Sequence, residues 1–183
     1  MSKPAIRAID IVAFILTILA IAIQCGGFFY PVWWSYESKT TQQKLEYGMI
    51  FSKECTSNGQ CEDKAAVVIE GGKEWLFLTR VFEAFGVLLC LIAVVVQIIF
   101  LPTRKYSVRS ASIYTLGAAG LFIWAGAFLF VAKYDELGTN LPTASEGSLA
   151  PGFGICIVAG IFAFAAAAVT GVATVKKGDD YYA

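Results

Sequence analysis

The sequence predicts an all-α membrane bundle of four transmembrane helices carrying a small extracellular antiparallel β-sheet, in a single domain over residues 1–183. Three observations lead there. Of the residues, 57% are apolar and 15% charged, against about 45–50% and 25% in ordinary globular domains. Four apolar runs, 6–29, 75–101, 112–132 and 152–175, match the roughly 20 residues of helix that cross a bilayer core. Between the first two runs, the hydrophobic period shifts from that of a helix to that of a strand.

The first run starts near Lys3 and Arg7 and contains Ala20-Ile21-Ala22, a pattern shared with cleavable signal peptides. Its apolar stretch continues through Phe29, beyond the about 7–15 residues of a signal h-region, so it reads as an uncleaved span. Charge orients the remainder. The loop over 102–111 holds Arg104, Lys105 and Arg109 without an acid, whereas 133–151 sets Lys133 against Asp135, Glu136 and Glu146. The bias of Lys and Arg towards the cytoplasm puts the 102–111 loop and both termini inside, and the loops over 30–74 and 133–151 outside. Lys176 and Lys177 agree with that orientation.

In the first outer loop, Leu45, Tyr47, Met49 and Phe51 alternate with Lys44, Glu46, Gly48 and Ile50, as one strand. A second alternation runs from Glu62 to Ile69. Ser57-Asn58-Gly59 suits a three-residue turn with Gly59 in the left-handed conformation. Counting outward pairs Thr56 with Gln60 and Cys55 with Cys61. Cysteines directly opposed on antiparallel strands have Cα atoms about 5 Å apart, within disulfide range. Two free thiols or a metal pair are the other readings. The chain has no His, and no third ligand stands nearby. Cys25, Cys90 and Cys156 lie in or beside spans, as small packing residues.

Pro31-Val32-Trp33 after the first span, Tyr47-Gly48-Met49 ahead of Cys55, then Cys61, then Arg80 early in the second span, resemble the first loop of the claudin and peripheral myelin protein superfamily. That family carries a Trp, a Gly-Leu-Trp segment, two cysteines and an entering Arg in this order. Here Ile50-Phe51 occupy the neighbourhood of the family's second Trp, so the chain resembles a divergent branch. The resemblance implies a left-handed four-helix bundle, a claudin-like outer sheet of about four or five strands, and Trp33 packed under that sheet beside the disulfide. It further implies a plasma-membrane protein that organises cell–cell junctions, as adhesion, barrier or pore, by self-association in cis and in trans. The alternative is an auxiliary, stargazin-like subunit of a larger channel or receptor.

The inventory supplies no enzyme. It offers no His, no nucleophile elbow, no phosphate-binding loop and no carboxylate relay. No cofactor, metal or nucleic-acid partner is expected, the net charge being zero. Asp10 lies one turn from Arg7 and Glu83 one turn from Arg80, so local ion pairs at the membrane faces are expected. Ala159, Ala163, Ala167 and Gly171 form a small-residue stripe suited to close helix packing. Between Glu37 and Glu74 stand seven acids against five lysines. Those nearest the hairpin, Glu54, Glu62 and Asp63, are candidates for charge selectivity or partner contact. Tyr181-Tyr182-Ala183 is a candidate ligand for a cytoplasmic PDZ scaffold, taken as an added strand.

Overall fold

The computed structural model describes residues 3–37, 44–56, 60–65, 74–103, 105–138 and 147–182, with the backbone alone at 3–7, 64–65, 138 and 173–182. Its long helices are α1 (Lys3–Phe28), α2 (Glu74–Thr103), α3 (Tyr106–Lys133) and α4 (Pro151–Tyr182). All four contain stretches long and apolar enough to span a membrane. A 3-10 turn, Tyr134–Gly138, extends α3. α1 packs mainly on α4 and α2 on α3, and α3 against α4 joins the pairs.

What holds these helices together is a seam of burial spaced three and four residues apart. In α1 the buried positions are Asp10, Ala13, Thr17, Ala20, Gln24 and Gly27. In α2 they are Leu76, Thr79, Glu83, Gly86, Cys90, Ala93, Gln97 and Phe100. α3 repeats the spacing from Arg109 through Ser112, Leu116, Ala119, Ile123 and Gly126 to Phe130, and α4 from Gly152 through Cys156, Ala159, Ala163 and Ala166 to Thr170. A 3.5-residue period keeps one stripe facing its neighbours only if the helices coil left-handedly about one another. Around Leu76, Phe100, Leu116, Ile123 and Phe130 the stripe is mostly small and polar side chains, which let backbones approach and hydrogen-bond across helices. Large apolar residues point the other way, with Ile15, Ile92, Val95, Leu121 and Ile161 all more than two-fifths exposed. In lipid that inversion costs nothing, because acyl chains cover them.

The third helix begins at Tyr106, well before the expected 112, and α2 continues through Thr103, so both helices reach into the expected 102–111 loop. Arg109 explains the difference. It reads as a solvated loop residue but is a buried member of the seam, 3% exposed. Ala159 and Ala163 are likewise fully buried, so this part of the small-residue stripe of α4 packs inside the bundle, whereas Ala167 and Gly171 are half-buried.

At one end of the bundle five strands form a single antiparallel sheet: β1 (Trp34–Glu37), β2 (Lys44–Tyr47), β3 (Phe51–Cys55), β4 (Cys61–Ala65) and β5 (Ser148–Leu149), in the order β4-β3-β2-β1-β5. The continuous strand expected over 44–51 is instead a hairpin. It breaks at Gly48, whose N–H donates to the Phe51 carbonyl at 2.8 Å. A Cβ at Gly48 would sit 2.6 Å from the Pro31 oxygen, so no larger residue fits this bend. Alternation alone could not reveal a turn that reverses the chain between Tyr47 and Ser52, which pair across it. The second expected strand is present as Cys61–Ala65; positions 66–69 lie outside the described residues.

Candidate functional site

The sheet is mounted on the bundle by the residues that flank it. Trp33, fully buried, uses every polar atom it has. Its backbone N–H donates to Tyr47 O at 2.7 Å, its carbonyl accepts from Ala150 N at 2.9 Å, and its indole N–H donates to Gly27 O at 2.8 Å. The ring meets Phe130 edge-on at 5.2 Å. One residue thereby ties β2, the entry to α4, the end of α1 and the end of α3. Arg80 supplies a second mount from α2: Nε donates to Met49 O at 2.6 Å and Nη2 to the Tyr47 hydroxyl at 3.0 Å. Met49 itself is fully buried. Trp33, Gly48, Met49 and Arg80, read in the sequence as one motif, converge on one joint.

Cys55 and Cys61 face each other across β3 and β4, with Cα atoms 4.0 Å apart and the sulfurs at disulfide distance, 2.11 Å. Thr56 N–H donates to Gln60 O at 2.9 Å just beyond them. The turn over 57–59 lies outside the described residues. The disulfide does not stand beside Trp33, as the resemblance implied. It belongs to the row Glu37, Lys44, Cys55, Cys61, whereas Trp34 adjoins the row of Tyr47 and Ser52. The two rows are three residues, about 10 Å, apart along the strands. Replacing both cysteines with Ser should cost the sheet about 2 kcal/mol, given the short loop enclosed, and leave four spans inserted. Protease mapping of the loop in sealed vesicles checks both points.

Strand alternation sorts the three candidate acids onto two faces. Glu54 and Glu62 oppose each other directly, in a row with Tyr36 and Leu45, and they line an open hollow with Thr56, Gln60 and Cys61. Asp63 lies on the other face, opposite Lys53, in a row with Glu46 and Ser35. The three are therefore not one cluster. On that second face Lys44 meets Glu46 at 2.6 Å, which pushes the Lys44 ammonium above its ordinary pKa through the hydrogen bond and the charge of Glu46. α4 is helical through Tyr182; the side chains of Tyr181 and Tyr182, and all of Ala183, lie outside the described residues.

Inside the bundle, two polar nodes join residues distant in sequence; Glu83 meets Gln24 where Arg80 was expected, and the side chain of Arg7, the expected neighbour of Asp10, lies outside the described residues. Asp10 pairs with the Arg109 guanidinium, 99 positions away, with both side chains buried. Arg109 also stacks over Phe100 at 4.6 Å. Gln97, Ser112 and Thr170 line the same pocket, so all four helices meet there. Towards the sheet, Glu83 is fully buried and accepts from Gln24 Nε2 at 2.6 Å. Glu83 Oε1 packs over Gly126, where a Cβ would approach to 2.7 Å. The local reading missed both nodes because their partners are distant in sequence. The available signal was the spacing of Asp10, Thr17 and Gln24, seven residues apart on one helix face.

No model of a known protein family matches this chain, and no curated protein matches it in sequence.

Proposed function

We propose that this chain is a claudin-like cell-surface protein that forms or organises cell–cell contacts, as adhesion, paracellular barrier or pore, through its first loop. In this reading the sheet is extracellular, the protein resides in the plasma membrane at cell contacts, and its partners are further copies of itself in cis and in trans. The observation that carries the reading is the joint itself. Both loops enter one five-stranded sheet, and Trp33 and Arg80 bind that sheet to the bundle through backbone carbonyls. A surface held in this way is pre-organised for recognition, since little ordering entropy remains to be lost on contact. Its hairpin face carries mixed charge and suits adjustable, polar contacts between copies.

Expression in cells that lack junctions tests the proposal. Strand-like polymers at contacts between expressing cells are the expected result. Co-purification with a large channel, without contact enrichment, would assign the chain to the auxiliary-subunit class instead.

If the copies enclose a paracellular passage, Glu54 and Glu62 are the acids placed to concentrate cations in it, within a Debye length of about 8 Å at physiological salt. Asp63 is offset by Lys53 across the ladder. Glu54→Gln with Glu62→Gln should lower sodium preference in dilution potentials across an expressing epithelial layer, and Asp63→Asn should leave it nearly unchanged. Equal effects would remove the two-face assignment. For the C-terminus, capture as a PDZ strand requires the last helical turn to unwind. Deletion of Tyr181, Tyr182 and Ala183 should then abolish pull-down of PDZ scaffolds without altering insertion.

A further inference from the structure

The turn between β2 and β3 carries an aromatic ring that is more than half exposed. Phe51 is 57% exposed, whereas Met49 and Ser52 beside it are at 0% and 1%. Three contacts fix the height of this turn on the bundle. The Cβ position of Gly48 is 2.6 Å from Pro31 O, Trp33 N–H donates to Tyr47 O at 2.7 Å, and Arg80 Nε donates to Met49 O at 2.6 Å. Pro31 stands three residues past Phe28, where the apolar span Ala8–Phe28 ends. Arg80 lies six residues, about 9 Å, inside the start of α2. That helix has 30 residues, about 45 Å against a hydrocarbon core of about 30 Å; shared evenly between its ends, the excess is about 7–8 Å each, close to the depth of Arg80. Both references put the turn at the boundary between headgroups and acyl chains.

Other exposed aromatic rings flank the ends of α1 and α2 that meet the sheet. Phe29 is 60% exposed, Tyr30 36% and Phe77 65%. Further along β3 the exposed side chains become Lys53 and Glu54, a change from apolar to charged within about 7 Å. We propose that the Phe51 ring rests in the headgroup–acyl boundary of the leaflet on the sheet's side, so that the sheet has a phospholipid contact of its own besides its mount on the helices. A second copy of the chain is the poorer occupant. A single ring offers far less than the roughly 1,000 Å² that a specific protein interface buries, and it continues a belt of lipid-level aromatic residues. The inference rests on the membrane-spanning helices and is independent of any junctional role.

The test places a photoreactive p-benzoylphenylalanine at Phe51, Lys53 or Leu121 of the full chain, reconstituted in phosphatidylcholine liposomes. Leu121, 63% exposed in mid-span, sets the full lipid yield. Irradiation and intact-mass measurement should give phospholipid adducts at position 51 approaching that yield, and few at 53. In the unmodified chain in nanodiscs, a headgroup spin-labelled phosphatidylcholine should relax the Phe51 ring signals more strongly than those of Lys53, which guards against a misfolded variant. Crosslinking of position 51 to a second copy, equal yields at 51 and 53, or equal relaxation of the two residues would overturn the proposal.

Discussion

Arg109→Met is expected to destabilise the bundle by about 3–5 kcal/mol, the usual cost of removing one partner from a buried ion pair. The guanidinium faces a carboxylate that is 6% exposed, and lies over Phe100 at the meeting point of α1, α2 and α3. Without it, the Asp10 carboxylate loses that cation in a pocket lined by Ala13, Phe14 and Phe100, where burying charge is costly. Adding Asp10→Asn to Arg109→Met should recover most of the loss, because a neutral amide costs far less to bury than a carboxylate. Denaturation by rising SDS fraction in bicelles measures all three variants. A single Arg109→Met chain as stable as the wild type would show that the pair does not hold the end of the bundle away from the sheet.

Trp33→Ala should have a similar effect at the other end, about 3–5 kcal/mol for truncation of a buried aromatic. Here the loss falls on the joint. Gly27 O loses its indole donor, Phe130 its edge contact, and the gap opens beneath the sheet. Trp33→Phe keeps most of the packing and gives up one hydrogen bond, about 1 kcal/mol, so it should lie between. Hydrogen exchange of β1 and β2 amides in nanodiscs distinguishes the cases. Much faster exchange in the sheet with slow exchange retained in mid-span α1 and α2 is expected for Trp33→Ala. Unchanged sheet exchange would mean that Trp33 is mere filling.

The spans and the cysteine pair were legible because each rests on one strong local signal: apolar run length, and equal counting outward from a turn. The joint was partly legible. Trp33, Met49 and Arg80 stood out by order along the chain, but nothing local says that Arg80 reaches the carbonyl of Met49. The seam was hidden for a physical reason. In water the buried face of a helix is the apolar one, and the eye follows hydrophobic period; here lipid covers Ile15 and Leu121, while Thr17, Gln24 and Ser112 are inside. The spacing of small and polar residues is the better guide in such a chain. Neither the Arg109 partner of Asp10 nor the Gln24 partner of Glu83 was in view, because each lies far away in sequence. The break at Gly48 escaped because alternation continues across it, although Gly48 interrupts an otherwise β-compatible run.

Co-culture of two cell populations, each expressing the chain with a different cytoplasmic label, tests most directly whether the mounted sheet recognises another copy across a cell contact. Both labels should concentrate together at contacts between the two populations. The Cys55→Ser, Cys61→Ser double variant, although still at the cell surface with four spans inserted, should spread evenly around the cell. Contact enrichment that survives in that variant, or wild-type chains that never concentrate where the two populations meet, would contradict it.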